Sequence, residues 1–462
     1  MLLISTVEGM SLASIRKRNG FYSLPIPPIG LFYIARSIED EGYEVEIIET
    51  ALEENPEEKI IKSLSSCEIV GINVYTSERN KVASFAKLIK KHDSEMPIII
   101  GGPHCTFYPD EALIEIPNAD ILVEGEGEFV IKDVLKALKG KKNLSDISGI
   151  YFRKNGIIKK GNPPQIIKEL DSISFPSHHL ADSYEYGKIN GFYFFKQKLA
   201  PFLSSRGCPH NCRFCTRHVS SMKSFRVRSV ENILDELNEI NEKFNSVIIL
   251  DDNFLADKKR AHKIMDSIIK NDLDLALYIA GTRVDTAEKE LYSKMKKAGV
   301  KYISYGIESG NQRVLDYYRK KITLDQARKA VTLANQMGFI TLANFLIGAP
   351  IETKKHIMDT INFAKSLPLD FAVFYMLCFM PGSDLWNEAI KEGKIEKKPG
   401  VYGYWSTSEN DLSIFSEKEL FYYRKKAINS FYLRPSYVVK EFIWTLKRKD
   451  VAVLKLLLSQ LS

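Results

Sequence analysis

The chain has 462 residues, of which 45% are hydrophobic and 27% charged, a composition that excludes a disordered or fibrous protein. The net charge of +7 permits an anionic ligand or a membrane surface but does not require nucleic acid. Six cysteines are too few for a disulfide framework, so we expect a cytoplasmic protein. At roughly 150 residues per domain, this length predicts two or three domains.

The first third of the chain alternates short apolar runs, which we expect to be strands, with amphipathic helical patterns. Val82, Phe85, Leu88 and Ile89 recur at helical spacing, with lysines on the opposite face. Strands that alternate with helices predict a parallel, doubly wound sheet, whose ligands bind at the carboxyl ends of the strands. We therefore predict an α/β Rossmann-like domain over residues 1–140.

Residues 141–198 are predicted to be a linker with a hairpin, because Asn155-Gly156 lies between two β-like runs. From Leu199 the alternation resumes, and six strand–helix units predict a partial (β/α)6 barrel over residues 199–400, with its chemistry on the loops after the strands. The tail, residues 401–462, is predicted to be helical. Its aromatic residues, among them Phe442 and Trp444, either pack a terminal helix on the barrel or face a membrane or an apolar substrate.

Three of the six cysteines, Cys208, Cys212 and Cys215, fall within eight positions. The three cysteines could lie close together by chance, or they could bind zinc. Structural zinc usually takes four ligands from paired motifs, however, and no second pair of cysteines lies nearby. Three thiolates on one loop suit three irons of a [4Fe–4S] cluster, which leaves the fourth iron open to a small chelating ligand. Cys378 lies in an apolar, strand-like run and is predicted to be a core residue.

The spacing C-x3-C-x2-C, with Phe214 before the last cysteine, resembles that of the radical S-adenosylmethionine (SAM) superfamily. The resemblance implies that the cluster donates an electron to SAM and cleaves it into methionine and a 5′-deoxyadenosyl radical. It also implies that Asp251, Asp252 and Asn253 receive the amino group of SAM. Taken alone, these three residues could instead cap a helix.

Further predicted strand ends resemble the other motifs of this superfamily, in the right order. Glu308 and Ser309 resemble its ribose-contacting motif, and Gly348 lies in a segment that resembles its adenine-side motif. Arg283 could clamp a carboxylate with two hydrogen bonds, or form a surface ion pair. The turn over residues 380–383 resembles the Pro-Gly turn that closes these barrels.

Segments of the first domain resemble the cobalamin (B12)-binding domain of B12-dependent radical SAM enzymes, so the resemblance covers the chain from the first strand through the barrel. The residues that it assigns to cobalamin are Gly101, Gly102, His104, Gly125 and Glu126, with Thr76 and Ser77 as candidate hydroxyl partners of the nucleotide tail. A turn of small residues permits close approach of a bulky flat ligand. The glycines are equally compatible with ordinary turns in an α/β fold.

Two features depart from that subfamily. Many relatives have a polar-Pro-Pro loop after the first strand, where this chain reads Ser5-Thr6-Val7-Glu8-Gly9, and they commonly end the second strand in Asp, where this chain has Glu49-Thr50. The loop from Thr6 to Gly20 contains no histidine, and His92 is expected on a solvated helical face. We therefore predict that cobalamin binds with its own base displaced and with no protein imidazole on cobalt.

The resemblance implies a radical SAM enzyme that uses SAM in two ways. One molecule supplies a methyl group to cobalamin, and another gives the radical that abstracts hydrogen from an unactivated carbon, which then takes the methyl group. Radical cyclisation or rearrangement is the alternative within the family. A non-catalytic corrinoid-binding protein is a further alternative, although it would not need the open-iron cluster. Cys67 and Cys105 are too few for an RNA-modifying methylthiotransferase, so no nucleic acid is expected.

The expected partners follow from the same resemblance. They are a small-molecule substrate, which could be apolar or lipid-like, and an external electron donor of the flavodoxin or ferredoxin type. Contact with a membrane is expected to be peripheral at most, because no run approaches the roughly 18 apolar residues that span a bilayer.

Overall fold

A computed structural model describes residues 1–6, 10–13, 22–189, 192–195, 198–216, 224–395 and 412–448. The chain divides into two compact units, which include residues 25–186 and 224–448 respectively. None of the helices within these described ranges combines the length and the apolar character needed to cross a bilayer.

The first unit alternates strands and helices as predicted. Its strands and those of the N-terminal segment are β1 (Leu2–Ser5), β2 (Met10–Ala13), β3 (Tyr22–Leu24), β4 (Glu46–Glu49), β5 (Val70–Asn73), β6 (Ile98–Gly101), β7 (Ile121–Val123), β8 (Ile150–Lys154) and β9 (Ile157–Lys160). The helices are α1 (Ile29–Glu39), α2 (Pro56–Leu64), α3 (Arg79–His92), α4 (Pro103–Phe107), α5 (Pro109–Glu115) and α6 (Glu128–Leu138).

Seven of these strands form one sheet in the order β4-β1-β5-β6-β7-β8-β9, and β2 pairs with β3 in a separate two-stranded sheet. Neighbouring strands from β4 to β7 are parallel. The chain leaves β1 towards β4 on one side and returns to β5 on the other, which places a topological switch point at the carboxyl ends of β1 and β5, where such folds bind ligands. The predicted doubly wound sheet is confirmed.

The sheet is held by apolar side chains at the spacing that the sequence shows. Leu2 and Ile4 are fully buried, and on α3 the buried residues include Val82, Phe85 and Ile89, whereas His92 at its end is exposed. The predicted hairpin forms β8 and β9, with Asn155 and Gly156 both at positive φ, as a two-residue turn requires. Because β8 pairs antiparallel with β7, this hairpin extends the first sheet.

The second unit contains a parallel six-stranded sheet in sequential order, β12-β15-β16-β17-β18-β19. The strands from this part of the chain are β10 (Lys188–Ile189), β11 (Phe192–Tyr193), β12 (Leu199–Phe202), β13 (Ser205–Arg206), β14 (Arg226–Val227), β15 (Ser246–Ile249), β16 (Ala276–Thr282), β17 (Val300–Glu308), β18 (Ile340–Ile347) and β19 (Phe371–Met376). Strands β12 and β19 are its two edges, so the predicted partial (β/α)6 barrel is confirmed.

Helices connect these strands and continue into the tail. They are α7 (Val230–Lys243), α8 (Lys258–Lys270), α9 (Lys289–Lys297), α10 (Gln312–Tyr317), α11 (Leu324–Gln336), α12 (Lys354–Ser366), α13 (Asp384–Lys391), α14 (Glu417–Tyr432) and α15 (Pro435–Arg448). In the tail, Arg424 donates to the carbonyl of Phe374, and the buried hydroxyl of Tyr437 donates to the carbonyl of Asp370, 2.6 Å away. The aromatic tail thus packs in part on the barrel.

One predicted strand is shorter than the sequence suggested. The run FLSSRG, residues 202–207, predicts a continuous strand, but β12 ends at Phe202, and Ser205–Arg206 pairs antiparallel with Arg226–Val227 instead. The backbone of Ser204 is diverted, because its N–H donates to Asp251 and its carbonyl accepts from Arg260. The cysteine loop therefore begins beyond the strand end rather than on it.

Candidate cofactor sites

Asp251 anchors the start of the loop that carries the cysteines, at Ser204 and Ser205. Its Oδ1 accepts from the N–H of Ser204 at 2.7 Å, and its Oδ2 accepts from the hydroxyls of Ser204, at 2.6 Å, and Ser205. Burial raises the pKa of Asp251, while these hydrogen bonds and Arg260 lower it. Both carboxylate oxygens are engaged in holding the loop, which gives this residue a positioning role beside the predicted contact with SAM.

The three cysteines lie on one loop after β13. Cys212 is buried, whereas Cys208 and Cys215 are half-buried, and the N–H of Cys215 donates to the carbonyl of Cys212 at 3.1 Å. Across the described residues, no three His, Cys, Asp or Glu side chains converge in the manner of a metal site. The assignment of these thiols to a cluster stays a prediction, and the chemistry of the donor set fits it, because three thiolates share a short loop beside buried cations.

The predicted ribose residue Glu308 lies beside the cysteine loop and is paired with a lysine. The Nζ atom of Lys320 lies 2.7 Å from Oε1 of Glu308, and both side chains are less than one-tenth exposed. The same Nζ is 6.0 Å from the ring centroid of Phe214, whose ring packs edge-on against Tyr318. The structure thus brings Phe214, Glu308 and the loop of Cys212 together around Lys320.

Arg283 is buried and its guanidinium is already committed. It makes two hydrogen bonds to the carboxylate of Asp285, at 3.0 and 2.8 Å, and a third to the carbonyl of Lys320 at 2.7 Å. Arg283 does form an ion pair with Asp285, but the pair is not on the surface as the alternative prediction had it, because Arg283 is only 4% exposed. Its contact with a carboxylate of SAM stays a prediction.

Several buried polar atoms near the strand ends make no hydrogen bond within the described part of the chain. They are both amide atoms of Asn253, Oε1 of Glu352 and the hydroxyl of Tyr318. Such groups usually have a partner, so their presence fits a polar ligand at this edge of the barrel. Asp252, next to Asn253, is half-buried. SAM, with its amino, carboxylate and hydroxyl groups, fits this set.

Two predicted SAM residues are also integrated into the barrel itself. The hydroxyl of Ser309 lies 3.0 Å from that of Thr360 on α12. Gly348 has a φ of +99°, and its N–H donates to Oε2 of Glu352 at 2.6 Å. Burial raises the pKa of Glu352 to about 7, although the N–H groups of Gly348 and Ala349 lower it. Glu352 therefore fixes the turn that the sequence assigned to adenine.

The switch point of the first unit carries a different set of polar groups. Glu49, at the end of β4, is buried, and its Oε1, the hydroxyl of Ser5 and that of Tyr186 make no hydrogen bond within the described residues. Burial raises the pKa of Glu49 to about 7, while the nearby hydroxyls of Ser5 and Tyr186 lower it. Buried polar groups at a switch point fit a large ligand with many amide groups, such as cobalamin.

His104 is fully buried and both of its ring nitrogens have partners. Nδ1 lies 3.2 Å from the hydroxyl of Thr76, and Nε2 lies 2.9 Å from Oε2 of Glu115. Burial raises the pKa of Glu115, but His104 and Arg79 lower it by more, so the pKa is below its ordinary value. This network ties α4 to α5 and occupies the imidazole. The loop from Thr6 to Gly20, which was predicted to lack an axial ligand, lies largely outside the described residues.

The remaining predicted cobalamin residues lie at the end of β6 or on the loops after β5, β6 and β7. Ser77 is exposed, and Oε2 of Glu126 accepts from the N–H of Ile167 at 2.8 Å. Gly102 has a φ of +105°, and a Cβ there would lie 3.2 Å from the backbone of Val74. This glycine is thus required by the neighbouring backbone itself. Gly101 has more room, and the N–H of Gly125 donates to Thr106.

Sequence reasoning missed Lys320 and Tyr318, and it placed Glu352 in the adenine-side motif without giving it a role. Lys320 lies between Arg319 and Lys321, and a run of three cations normally indicates a solvated surface. A weak signal existed for Glu352, which follows the predicted adenine-side strand end by a few residues. Cys378, predicted to be core, is half-buried directly after β19.

Comparison with known proteins identifies both units. The sequence model of the Radical SAM superfamily matches residues 202–364, and that of the B12 binding domain matches residues 22–135. A protein of Pyrococcus horikoshii named as an uncharacterized methyltransferase is 33% identical over 90% of this chain and 90% of its own length. The cytidylyl-2-hydroxyethylphosphonate methyltransferase of Streptomyces wedmorensis is 25% identical over 81% of this chain and 80% of its own.

A solved structure shares the fold of most of the chain. It is the radical SAM methyltransferase TsrM from Kitasatospora setae with tryptophan and a SAM analogue bound. The match covers 86% of this chain and 77% of that one, with a TM-score of 0.68 and 16% identity. Together with the two family matches and the Pyrococcus relative, this means that the chain belongs to the cobalamin-binding methyltransferase family of the radical SAM enzymes, whose cofactors are a [4Fe–4S] cluster, SAM and cobalamin.

Proposed function

We propose that this enzyme transfers a methyl group to an unactivated carbon of a small molecule. The observation that carries the proposal is the pairing, in one chain, of a cysteine loop beside the buried Lys320–Glu308 pair with a doubly wound sheet whose switch point holds unpaired polar groups. A barrel alone would suffice for radical formation, and a corrinoid domain alone would suffice for carrying cobalamin. Methyl transfer from cobalamin to a carbon radical would use both.

The side chains of this protein then have distinct roles. Cys208, Cys212 and Cys215 would hold the cluster, which supplies the electron for reductive cleavage of SAM. Glu308 would accept from the ribose hydroxyls, and Asn253, whose buried amide atoms are unpaired, would bind the methionine end. Asp251 would hold the loop of Ser204 and Ser205 beneath the cluster.

In the first unit, the residues would bind cobalamin without an imidazole on cobalt. His104 is committed to Thr76 and Glu115, so it would act by shaping the loop after β6. Ser5, Glu49 and Tyr186 would meet the polar periphery of the ligand. Gly101, with space beside its Cα, would allow the close approach of a flat ligand.

The experiment needs no substrate. The anaerobically reconstituted protein, loaded with cobalamin, is incubated with reductant and SAM, and two products are measured. S-adenosylhomocysteine reports methyl transfer from SAM, and 5′-deoxyadenosine reports radical formation. Both are expected in the wild type, and only the second is expected to disappear in the Cys208→Ala/Cys212→Ala/Cys215→Ala variant.

Each single-product outcome contradicts the proposal in its own way. 5′-Deoxyadenosine without S-adenosylhomocysteine would favour cyclisation or rearrangement. S-adenosylhomocysteine without 5′-deoxyadenosine in the wild type would exclude radical chemistry. When a substrate is known, deuterium from the SAM methyl group should appear in the product.

The partners are part of the same proposal. The electron would come from a flavodoxin- or ferredoxin-type protein. An apolar substrate or peripheral membrane contact is supported by the outer face of α15, where Val438, Val439, Phe442 and Ile443 are 45–58% exposed. Sedimentation with anionic vesicles tests this, and binding that Phe442→Glu leaves unchanged would contradict it.

A further inference from the structure

Lys320 is a buried cation in the middle of the predicted cluster and SAM site. Its residue is 6% exposed, and its Nζ atom lies 2.7 Å from the Glu308 carboxylate. Lysines are almost never buried to this degree unless they are paired. Its two neighbours in the sequence, Arg319 and Lys321, are exposed. Of these three consecutive cations, only Lys320 has its side chain buried in the protein.

The backbone enforces that direction. Arg319 and Lys321 have φ values of +51° and +55°, and such left-handed conformations are uncommon for residues other than glycine. Arg319 forms an ion pair with Asp384 at 2.5 Å, and the carbonyl of Lys320 accepts from Arg283 at 2.7 Å. Strained residues of this kind persist where the surrounding structure holds them, and they cluster at functional sites.

The ion pair between Lys320 and Glu308 packs against Gly306. Glu308 has a φ of +74°, which turns its side chain at the end of β17. A Cβ at Gly306 would lie 2.6 Å from Oε1 of Glu308 and 2.9 Å from Nζ of Lys320. A side chain at residue 306 would therefore shift the charged ends of Glu308 and Lys320 from these positions.

Lys320 lies next to the cysteine loop. Its Nζ atom is 6.0 Å from the ring centroid of Phe214, the residue before Cys215. The backbone connects the two segments directly, since the N–H of Arg213 donates to the carbonyl of Tyr318 at 3.1 Å. The positive charge of Lys320 is therefore held beside the segment that carries Cys212 and Cys215.

We propose that Lys320 is a positioning residue that holds the Glu308 carboxylate for SAM and provides a fixed positive charge that favours reduction of the cluster. The proposal rests on the proposed function. A cluster with three thiolate ligands is anionic and gains one further negative charge when it takes one electron from a flavodoxin- or ferredoxin-type donor. A nearby buried cation stabilises the reduced form more than the oxidised form.

The test compares variants of the reconstituted holoenzyme in the absence of SAM. The midpoint potential of the cluster is measured by redox titration with electron paramagnetic resonance of the reduced form. In Lys320→Met, we expect the equilibrium for reduction to become at least tenfold less favourable, a shift of about 59 mV to more negative potential. Lys321→Met removes the same charge from an exposed neighbouring position and should shift the potential by much less.

Glu308→Gln provides the reverse test. It removes the negative end of the pair, so the potential should move in the positive direction, and the double variant Lys320→Met/Glu308→Gln should lie between the two single variants. Equal shifts in Lys320→Met and Lys321→Met would overturn the proposal. So would shifts of the same sign in Lys320→Met and Glu308→Gln, because general loosening of the site has no reason to reverse its sign.

The double variant also guards against misfolding, since a buried pair replaced by neutral groups is tolerated better than one left with a single charge. Each variant should first hold about four irons per chain. Failure of the wild type to bind a cluster would refute the proposed function. An intact cluster with an unchanged potential in Lys320→Met would refute only the role of Lys320.

Discussion

The carboxyl edges of the two parallel sheets differ in how far their polar side chains are already paired. At the edge of the six-stranded sheet, Asp251, Arg283 and Glu308 are buried, and each has a side-chain partner that fixes it. At the edge of the seven-stranded sheet, Oε1 of Glu49 and the side-chain hydroxyls of Ser5 and Tyr186 are buried without a hydrogen bond to the described residues. The difference concerns the charged groups: those of the barrel edge are fixed before ligands bind, although Asn253 and Tyr318 there still lack a partner among the described residues, whereas Glu49 at the other edge awaits one.

This contrast suits the two chemistries. A radical must be formed at a defined distance from its target, so its site benefits from side chains that are fixed in advance. A large ligand with many polar groups can instead satisfy the protein groups that it covers. The predictions below are ordered by the size of the effect that each should have on one edge or the other.

The largest effect is expected from the cysteine loop. Cys208→Ala/Cys212→Ala/Cys215→Ala should lose all cluster iron, from about four atoms per chain to none, together with 5′-deoxyadenosine formation. Iron analysis and visible absorbance measure the loss. Cys378→Ala is the matched control, because Cys378 lies after β19, away from the loop in sequence, and should keep the cluster. Stoichiometric zinc without iron–sulfur absorbance in the wild type would contradict the assignment.

The next effect concerns the anchor beneath that loop. Asp251→Ala should destabilise the barrel by about 3 kcal/mol or more, because three buried donors on Ser204 and Ser205 lose their acceptor. Urea denaturation followed by tryptophan fluorescence measures the change. Asp252→Asn is the neighbouring control and should lower the free energy of unfolding far less, since Asp252 is only half-buried. Equal losses in both variants would mean that Asp251 is not the anchor.

The third effect is a pH dependence at the other edge. An ordinary Glu has a pKa of 4.5, and that of Glu49 is about 7, so the folded state binds this proton more tightly than the unfolded state. Stability is therefore lost as the pH rises from about 4.5 to about 7, by about 3 kcal/mol. Glu49→Gln should remove this loss in the cobalamin-free protein, making it clearly more stable than the wild type at pH 8 and only slightly more stable at pH 5.

The control for this change is Glu54→Gln, at an exposed position five residues further along the chain, which should behave like the wild type at both pH values. Thermal unfolding at the two pH values measures the difference. If Glu49→Gln changes the stability equally at pH 5 and pH 8, then Glu49 is ionised in the fold and the two edges are more alike than the structure indicates.

The smallest effect is expected at cobalt. Because both nitrogens of His104 are occupied, His104→Ala should leave the electron paramagnetic resonance lines of the Co(II) form unchanged, without nitrogen superhyperfine splitting in either protein. A splitting in the wild type that disappears in the variant would identify His104 as the ligand. A splitting that persists in His104→Ala would mean that the cobalamin base itself remains bound.

The sequence by itself determined the alternation of strands and helices, the parallel pairing of the main strands in both sheets and the placement of three cysteines on one loop. These features depend on local signals, namely the period of the apolar residues, the Asn155-Gly156 turn and the spacing of Cys208, Cys212 and Cys215. The strand ends that the sequence assigned to cofactors do lie at the carboxyl edges of the sheets, because parallel strands bring those ends to one side.

Only the tertiary structure decided what each polar side chain does there. Asp251 reaches Ser204, 47 residues away in sequence, and His104 reaches Thr76, 28 residues away. Lys320 is read as a surface cation until the fold places Glu308 beside it. Burial and pairing arise from segments that are distant in sequence, so no local pattern could reveal that one cation of three had turned towards the cluster loop.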